Sequence, residues 1–238
     1  MKFLVIETYA ETASFRNPDF QNFHKTLLLP SPTAIVGLAG AAMGFSPKKA
    51  QEYFFDNEIK IGVYGNSLGI VKDLWKYRDL SGKRSVLKKE ILFKNNFIIM
   101  FISDMEKAIE EIKEGFMNPH YALTMGNSDS LALIKNIVVE EISDMVERDY
   151  LENCLVEGDI FSEVVKNIDN GLEISIYNTS EPIAYDLPVK FYYEKYYGTR
   201  YIIERKPFSF LTKGRKVKIN TYKKGIKYKD IFIPACSL

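Results

Sequence analysis

The sequence predicts an α+β fold with a ferredoxin-like amino-terminal domain at residues 1–142 and a smaller, β-rich part at residues 143–238. The first observation is the order of predicted elements, which is strand, helix, strand, strand, helix, strand; this is the ferredoxin-like or RNA-recognition-motif pattern. The second is a basic and aromatic β-hairpin that protrudes from the sheet at about residues 70–95. The third is a change of character after residue 142, where an acidic segment precedes short strands rich in Tyr, Phe and Ile.

The composition is that of a globular chain that can bury a large core. Its 238 residues are 46% hydrophobic and 26% charged, which suits one large domain or one domain with an annex. Cys154 and Cys236 are far apart and lack CxxC or Cys/His spacing, so we predict no disulfide framework and no metal or other cofactor. No apolar run approaches the roughly 18 residues of a membrane span. We therefore expect a cytoplasmic protein without membrane contact.

The net charge of +1 hides an uneven distribution of charged residues. Residues 72–89 hold seven basic and two acidic side chains, and residues 213–229 hold eight basic and none acidic. Residues 140–163 hold nine acids and a single Arg. Two basic surfaces favour a polyanionic partner. The acidic segment indicates a protein neighbour or, more simply, a solvated face.

The first strand is expected at residues 2–9, which are rich in β-branched and aromatic side chains. Residues 11–25 follow and are here called the N-terminal loop. The loop is too long for an ordinary strand-to-helix connection. It combines three aromatic side chains with basic groups, which is typical of a binding surface.

A Ser-Pro pair at residues 31 and 32 predicts the first helix, which should run to about Met43. Gly37, Gly40 and Gly44 lie on one stripe of this helix. A phosphate-binding glycine loop would need a strand-turn-helix placement and a following Lys-Ser/Thr, and both are missing. We therefore favour close packing of the helix on the sheet.

The basic hairpin is predicted from two pairs of strands around a Ser-Gly turn. The strands are expected at residues 59–64, 69–77, 86–93 and 97–102. Trp75 and Tyr77 alternate with Lys and Arg, a pattern that suits stacking of bases beside neutralised phosphates. Lysines also protect hairpin edges from aggregation. Seven cations with two aromatics exceed that need, so we favour RNA contact.

The second helix is predicted from a capping box at Ser103 and Glu106 and from an apolar stripe ending at Phe116. It should end near Gly115. The remaining expectations are a strand at residues 121–125, a polar turn at 126–130, a strand at 131–139, an acidic helix or irregular segment beyond 142, strands at 171–178, 189–197 and 201–205, and a basic strand pair after 211.

Several motifs resemble the Cas-five family of CRISPR-associated proteins, within the RAMP superfamily. They are Thr12-Ala13-Ser14-Phe15-Arg16, Pro18-Asp19-Phe20, Pro30-Ser31-Pro32-Thr33, Gly37-Leu38-Ala39-Gly40-Ala41-Ala42, Leu123 to Gly126, and Ser128-Asp129. The resemblance implies a ferredoxin-like domain, a β-hairpin thumb and a smaller carboxy-terminal β part. It implies a subunit of Cascade, the RNA-guided surveillance complex of type I CRISPR antiviral defence. Such a subunit grips the 5′ repeat-derived handle of the guide RNA (crRNA) and abuts the large subunit and the first backbone subunit.

The resemblance also implies which residues contact RNA. They lie in the N-terminal loop, in the thumb and in the loop after residue 125: Arg16, Phe20, His24, Lys25; Lys72, Lys76, Tyr77, Arg78, Lys83, Arg84, Lys88, Lys89; Gly126, Asn127, Ser128. The wording of the N-terminal loop is most similar to type I-B members. A contact with target DNA near the flanking motif is left open.

Other functions are weighed against this one. Type I-C relatives cut precursor RNA without metal, using a Tyr, Lys and His set, and such chemistry needs a group that titrates near neutrality. The chain has only His24 and His120, neither in the Lys-His order, so we expect no catalytic residues and keep the metal-independent endoribonuclease as the alternative. A stand-alone RNA-recognition module is a third class. For four tyrosines, contact with a protein partner and packing in the core are equally open: Tyr192, Tyr193, Tyr196 and Tyr197.

Overall fold

A computed structural model of the chain describes residues 1–20, 23–78, 81–164, 183–194, 199–212, 214 and 216–238. Within these ranges the fold is α+β, with mostly strands and three α-helices. The helices are α1 (Pro32–Ala42), α2 (Pro47–Asp56) and α3 (Glu106–Met117). The strands are β1 (Lys2–Ala13), β2 (Phe15–Arg16), β3 (Thr26–Leu27), β4 (Lys60–Arg78), β5 (Arg84–Ser103), β6 (Leu133–Glu141), β7 (Val146–Glu152), β8 (Leu155–Glu157), β9 (Ile183–Tyr193), β10 (Arg200–Phe210), β11 (Lys216–Tyr228) and β12 (Ile231–Pro234).

The main sheet has the order β4-β5-β1-β6, and every neighbouring pair is antiparallel. Side chains of β1 alternate between its two faces. Leu4 and Ile6 pack in the same core as helix residue Ile109, whereas Phe3 and Val5 pack in a second core with β11 and β12. The sheet is therefore buried on both faces at its centre.

Several predicted elements are present, with different bounds. β1 continues four residues beyond its predicted end, and α1 begins after Ser31, whose hydroxyl accepts a hydrogen bond from Ala34 N at 3.3 Å. The four predicted hairpin strands form two continuous strands, β4 and β5. α2 was not predicted, although Ser46 and Pro47 repeat the signal that begins α1.

Two local predictions are wrong. The residues expected to form a strand at 121–125 make only an isolated bridge between Thr124 and Leu131, because the backbone bonds here close a short loop, with Met125 N donating to Ser130 O at 2.7 Å and Ala132 N to Leu123 O at 2.9 Å. Ser103 Oγ accepts from Met105 N at 3.0 Å, so α3 begins at Glu106 without the expected capping box. The helix ends at Met117, within two residues of its predicted end near Gly115.

Within α1, only Gly40 makes a close contact, and it faces another helix rather than the sheet. A Cβ on Gly40 would lie only 2.6 Å from Cβ of Ala50 on α2, whereas a Cβ on Gly37 would meet nothing within 4 Å. The close approach at Gly40 therefore joins α1 to α2. The expectation of helix-to-sheet packing is corrected accordingly.

The carboxy-terminal part contains two three-stranded sheets, β8-β10-β9 and β12-β11-β7. The acidic segment is not a helix but contributes β7, and β7 pairs with the basic β11. Lys216, Lys218 and Lys224 of β11 lie 3.8 Å from carboxylates of β7. The second basic surface expected from the sequence is therefore largely neutralised within the chain.

Some predictions about this part lie outside the described residues. They concern the strand at residues 171–178, the side chains of Tyr196 and Tyr197, and basic residues 213 and 215. Tyr192 is exposed and pairs across the sheet with Tyr201, which is also exposed. Tyr193 is half-buried. The described tyrosines therefore do not all belong to the core.

Residues 126–130, called the Gly126 loop, are pressed against the end of β1. Gly126 has a φ of +88°, and a Cβ at this position would lie 2.1 Å from the carbonyl oxygen of Ser14. Any larger residue would combine an unfavourable backbone conformation with a clash against backbone. The contact therefore requires glycine.

We expect Gly126→Ala to lower the free energy of unfolding by about 3 kcal/mol, because both the φ strain and the clash must be relieved. Gly82→Ala is the matched control, since Gly82 has a φ of +81° but a Cβ there would meet nothing within 4 Å. It should cost only about 1 kcal/mol. Urea unfolding of both variants measures the difference. Equal losses would show that the approach to Ser14 is not tight.

Candidate nucleic-acid interface

The N-terminal loop is joined to the hairpin by backbone pairing. His24 forms a parallel bridge with Lys89 of β5; its N–H donates to Lys88 O at 2.9 Å, and its carbonyl accepts from Glu90 N at 2.8 Å. The carboxylate of Glu90 accepts a further bond from Thr26 N at 3.3 Å. Residues more than 60 positions apart are thus held at the base of the hairpin.

The Gly126 loop meets the same region from the other side. Ser14 N donates to Met125 O at 3.1 Å, and the hydroxyls of Thr12 and Ser130 lie 3.0 Å apart. Ser14 Oγ in turn donates to Glu90 O at 2.9 Å. The three segments that the sequence predicted to contact RNA therefore converge at one place.

Arg205 of β10 fixes the N-terminal loop to the carboxy-terminal part. Its Nη2 lies 2.9 Å from Asp19 Oδ1, and its Nε lies 2.9 Å from Asp186 Oδ2. No local pattern in the sequence could reveal Arg205, because its partner on the loop is 186 residues away.

The pairing register divides the hairpin side chains between two faces. Residues directly opposite each other share a face, and successive residues alternate between faces. Trp75 and Tyr77 therefore lie with Lys89 on what we call the aromatic face. The other face, called the basic face, carries Lys72, Lys76, Arg78, Arg84 and Lys88. Aromatic and basic residues that alternate along the sequence are thus separated in space.

The basic face is exposed and carries repulsive contacts. Arg78 lies directly opposite Arg84 in the register, and both residues are exposed. Like charges directly opposite each other destabilise a strand pair. Lys83 lies in the turn beyond this last pair. The tip of the hairpin therefore concentrates positive charge at a cost to the stability of the hairpin itself.

Lys89 is an unusual group within this interface. It is only 2% exposed, its Nζ lies 3.9 Å from the ring centroid of Trp75, and no described residue hydrogen bonds that Nζ. Burial lowers the pKa of Lys89 from its ordinary value, while the carboxylates of Asp129 and Asp73 act in the opposite direction. An ammonium that is buried without a hydrogen-bond partner is energetically costly.

His24 is paired with Lys89, and the charge of Arg16 also reaches it. Burial lowers the pKa of His24 from its ordinary value, and the charges of Arg16 and Lys89 lower it further. His24 is therefore mainly neutral at pH 7. Beside them, Lys25 Nζ lies 5.0 Å from the ring centroid of Phe20, which is 37% exposed.

The remaining predicted site residues lie farther out. Lys83 and Arg84 stand five or six residues beyond Lys89 toward the hairpin tip, or about 20 Å along the strand. In the Gly126 loop, Asn127 is half-buried and its carbonyl accepts from Ser130 N at 3.1 Å, whereas Ser128 is exposed. The predicted residues therefore form a central cluster around Lys89 with a basic extension, not a single compact site.

His120 lies away from this cluster. Its backbone N–H donates to Ala42 O at 2.9 Å at the end of α1, and a Cβ on Gly44 would lie 2.8 Å from its ring. Within the described ranges, no group of three or more His, Cys, Asp or Glu is placed to hold a metal ion. None of the helices among the described residues is long and apolar enough to span a membrane.

Known structures with a similar fold include two that match almost the whole chain. A protein from a structure titled "CRISPR RNA-guided surveillance complex" is 13% identical with a TM-score of 0.52, over 92% of this chain and 91% of that one. A CRISPR protein from Archaeoglobus fulgidus is 13% identical with a TM-score of 0.50, over 99% of this chain and 100% of that one. At these identities the likeness concerns the fold alone.

Comparison of sequences adds the family. No curated protein matches the chain. The family model described as CRISPR-associated protein (Cas_Cas5) matches residues 3–203, which is well over half of the chain. The protein therefore belongs to the Cas-five family of CRISPR-associated proteins.

Proposed function

We propose that this protein is a non-catalytic crRNA-binding subunit of a type I Cascade complex that grips the 5′ handle of the guide RNA. One observation carries the proposal: the N-terminal loop, the hairpin and the Gly126 loop converge around Lys89. Membership of the Cas-five family supports it. The charge pattern supports it as well, since β7 neutralises much of β11 but nothing comparable covers the basic face among the described residues.

The two faces of the hairpin are suited to different parts of an RNA, the aromatic face to bases and the basic face to phosphates. Trp75 and Tyr77 are 41% and 46% exposed, so unstacked bases can pack on their rings. The cations of the basic face are suited to phosphates, which supply much of the affinity of such interfaces without reading sequence. RNA that bends around the hairpin base would meet both.

The proposal includes the arrangement of the domain, its thumb and its partner subunits. The antiparallel order β4-β5-β1-β6 supports a ferredoxin-like arrangement, with the distal part of β4 and β5 as the thumb. Residues 143–238 would be an annex rather than an independent domain, because Leu155 and Phe208 share a core with Leu4. The proposed partners are the first backbone subunit and the large subunit, in the cytoplasm, with type I-B as the proposed subtype.

Reversing charges on the basic face should weaken RNA binding. We expect the double variant Arg84→Glu, Lys88→Glu to bind a single-stranded handle RNA at least about tenfold more weakly, with a salt dependence reduced by about two phosphate contacts. The measurement is anisotropy of labelled RNA at several salt concentrations. Stability should not fall, because Arg84→Glu replaces repulsion opposite Arg78 with attraction.

The double variant Lys107→Glu, Lys227→Glu is the matched control. It changes the net charge equally but alters exposed residues of α3 and β11, outside the hairpin. Its affinity should remain close to that of the unmodified chain. If both double variants bind RNA as the unmodified chain does, the thumb assignment is wrong.

One observation favours a second candidate function, a metal-independent endoribonuclease. His24 and Lys89 do not adjoin in the sequence but are paired in space, and Arg16 is near them. A mainly neutral His24 is suited to accept a proton from a 2′-hydroxyl, and Lys89 and Arg16 would stabilise the developing negative charge. A Lys and a His are therefore close in space here, although neither histidine stands in the Lys-His order of the cutting relatives.

Incubation of the pure chain with repeat RNA in EDTA separates these two functions. We expect no cleavage product, since the non-catalytic proposal gives His24 and Lys89 the role of binding RNA rather than of transferring protons. The nuclease function predicts a product that disappears in His24→Ala and persists in His120→Ala, the control outside the cluster. Cleavage that follows this pattern would replace the non-catalytic proposal.

A further inference from the structure

Among the described residues, two buried side-chain atoms lack any hydrogen-bond partner, and both lie where the N-terminal loop meets the hairpin. They are Asn17 Nδ2 and Lys89 Nζ. Asn17 is completely buried; its Oδ1 accepts from Asp19 N at 3.1 Å, and its backbone N–H donates to Lys25 O at 2.9 Å. Buried polar groups nearly always find partners, so two orphaned donors on adjoining segments indicate a missing ligand.

The group that this ligand would supply is an anion. Lys89 carries a donor without an acceptor, and the neighbouring side chains of His24 and Arg16 also carry N–H donors. The two carboxylates whose charges reach Lys89 do not hydrogen bond it. Asp73 Oδ1 instead accepts from Leu74 N at 2.7 Å, and Asp129 belongs to the Gly126 loop.

The ring of Trp75 covers Lys89. The ammonium lies 3.9 Å from the ring centroid, so a cation–π contact replaces the absent acceptor. Trp75 itself is 41% exposed on one strand of a hairpin that projects from the sheet. The Trp75 ring can therefore rotate away from Lys89 without disturbing the core.

We infer that Trp75 is a movable cover over an anion subsite at Lys89, which takes one backbone phosphate of the bound RNA while the ring turns out to stack on a base. The inference rests on the proposed function and adds a conformational step to it. A phosphate oxygen is a stronger partner for an ammonium than an aromatic ring. The displaced ring gains a base as a new stacking partner.

Trp75 is the only tryptophan of the chain, so emission excited beyond the absorption band of tyrosine reports on this ring alone. The full chain is titrated with handle RNA, and binding is followed in parallel by anisotropy of a label on the RNA. We expect the Trp75 emission to change in step with the anisotropy. Inorganic phosphate without RNA should leave the emission unchanged; the same saturable change with phosphate alone would overturn the assignment to RNA.

Lys89→Met tests the role of the ammonium, and Lys227→Met, at an exposed residue of β11 outside the hairpin, is its control. We expect Lys89→Met to be at least as stable as the unmodified chain, since it removes a buried unpaired charge. Its affinity for RNA should fall about tenfold, with a smaller emission change at saturation. Lys227→Met should retain both the affinity and the full emission change.

The failures can be told apart. If anisotropy shows binding but the Trp75 emission does not change, or if Lys89→Met binds RNA with unchanged affinity, the inference is wrong and the proposed function stands. No anisotropy change with the unmodified chain would overturn the proposed function and the inference together. A marked loss of stability in Lys89→Met would show that the ammonium is structural, and would also overturn the inference.

Discussion

The pairing of His24 with β5 is the contact on which the proposed interface depends. Its two backbone hydrogen bonds, to Lys88 O and from Glu90 N, place a long loop against the base of the hairpin. The Gly126 loop is then pressed onto Ser14, at the start of the same loop. Because each of these contacts is made by backbone, the site is positioned by the fold and its side chains remain available for a ligand.

Opposite charges are paired in one part of the chain and unpaired in another. The acidic β7 and the basic β11 lie side by side, so an acidic and a basic segment of the sequence largely neutralise each other in the structure. The hairpin differs, since Arg78 faces Arg84 and Lys89 is buried without a hydrogen bond. Both arrangements are costly in the free protein. A polyanionic ligand would relieve both, and this links the stability of the hairpin to its proposed function.

The sequence predicted what depends on local rules. The Ser-Pro pair at residues 31 and 32 begins α1, and the β-branched residues of β1 form its buried centre. Local rules failed where tertiary contacts decide: the apolar residues near Thr124 anchor an irregular loop, and Ser103 is held by Asn57 O instead of capping α3. α2 was missed although its Ser-Pro signal was present.

The site was predicted in the same partial way. The three segments were identified from their composition and from the family resemblance, but the place of buried Lys89 at their centre was not. The division of the hairpin into two faces follows from period-two alternation once the strand register is known, and the register cannot be read from composition. Arg205 had no sequence signal, because its role depends on Asp19, far away in the chain.

The proposed function places one end of a guide RNA between the N-terminal loop and the aromatic face of the hairpin. Ultraviolet crosslinking of the full chain to handle RNA, with the crosslinked peptides identified by mass spectrometry, is the direct test of this placement. We expect crosslinks at Trp75 or Tyr77 together with Phe20 or His24. Crosslinks confined to the strands after residue 142 would contradict it.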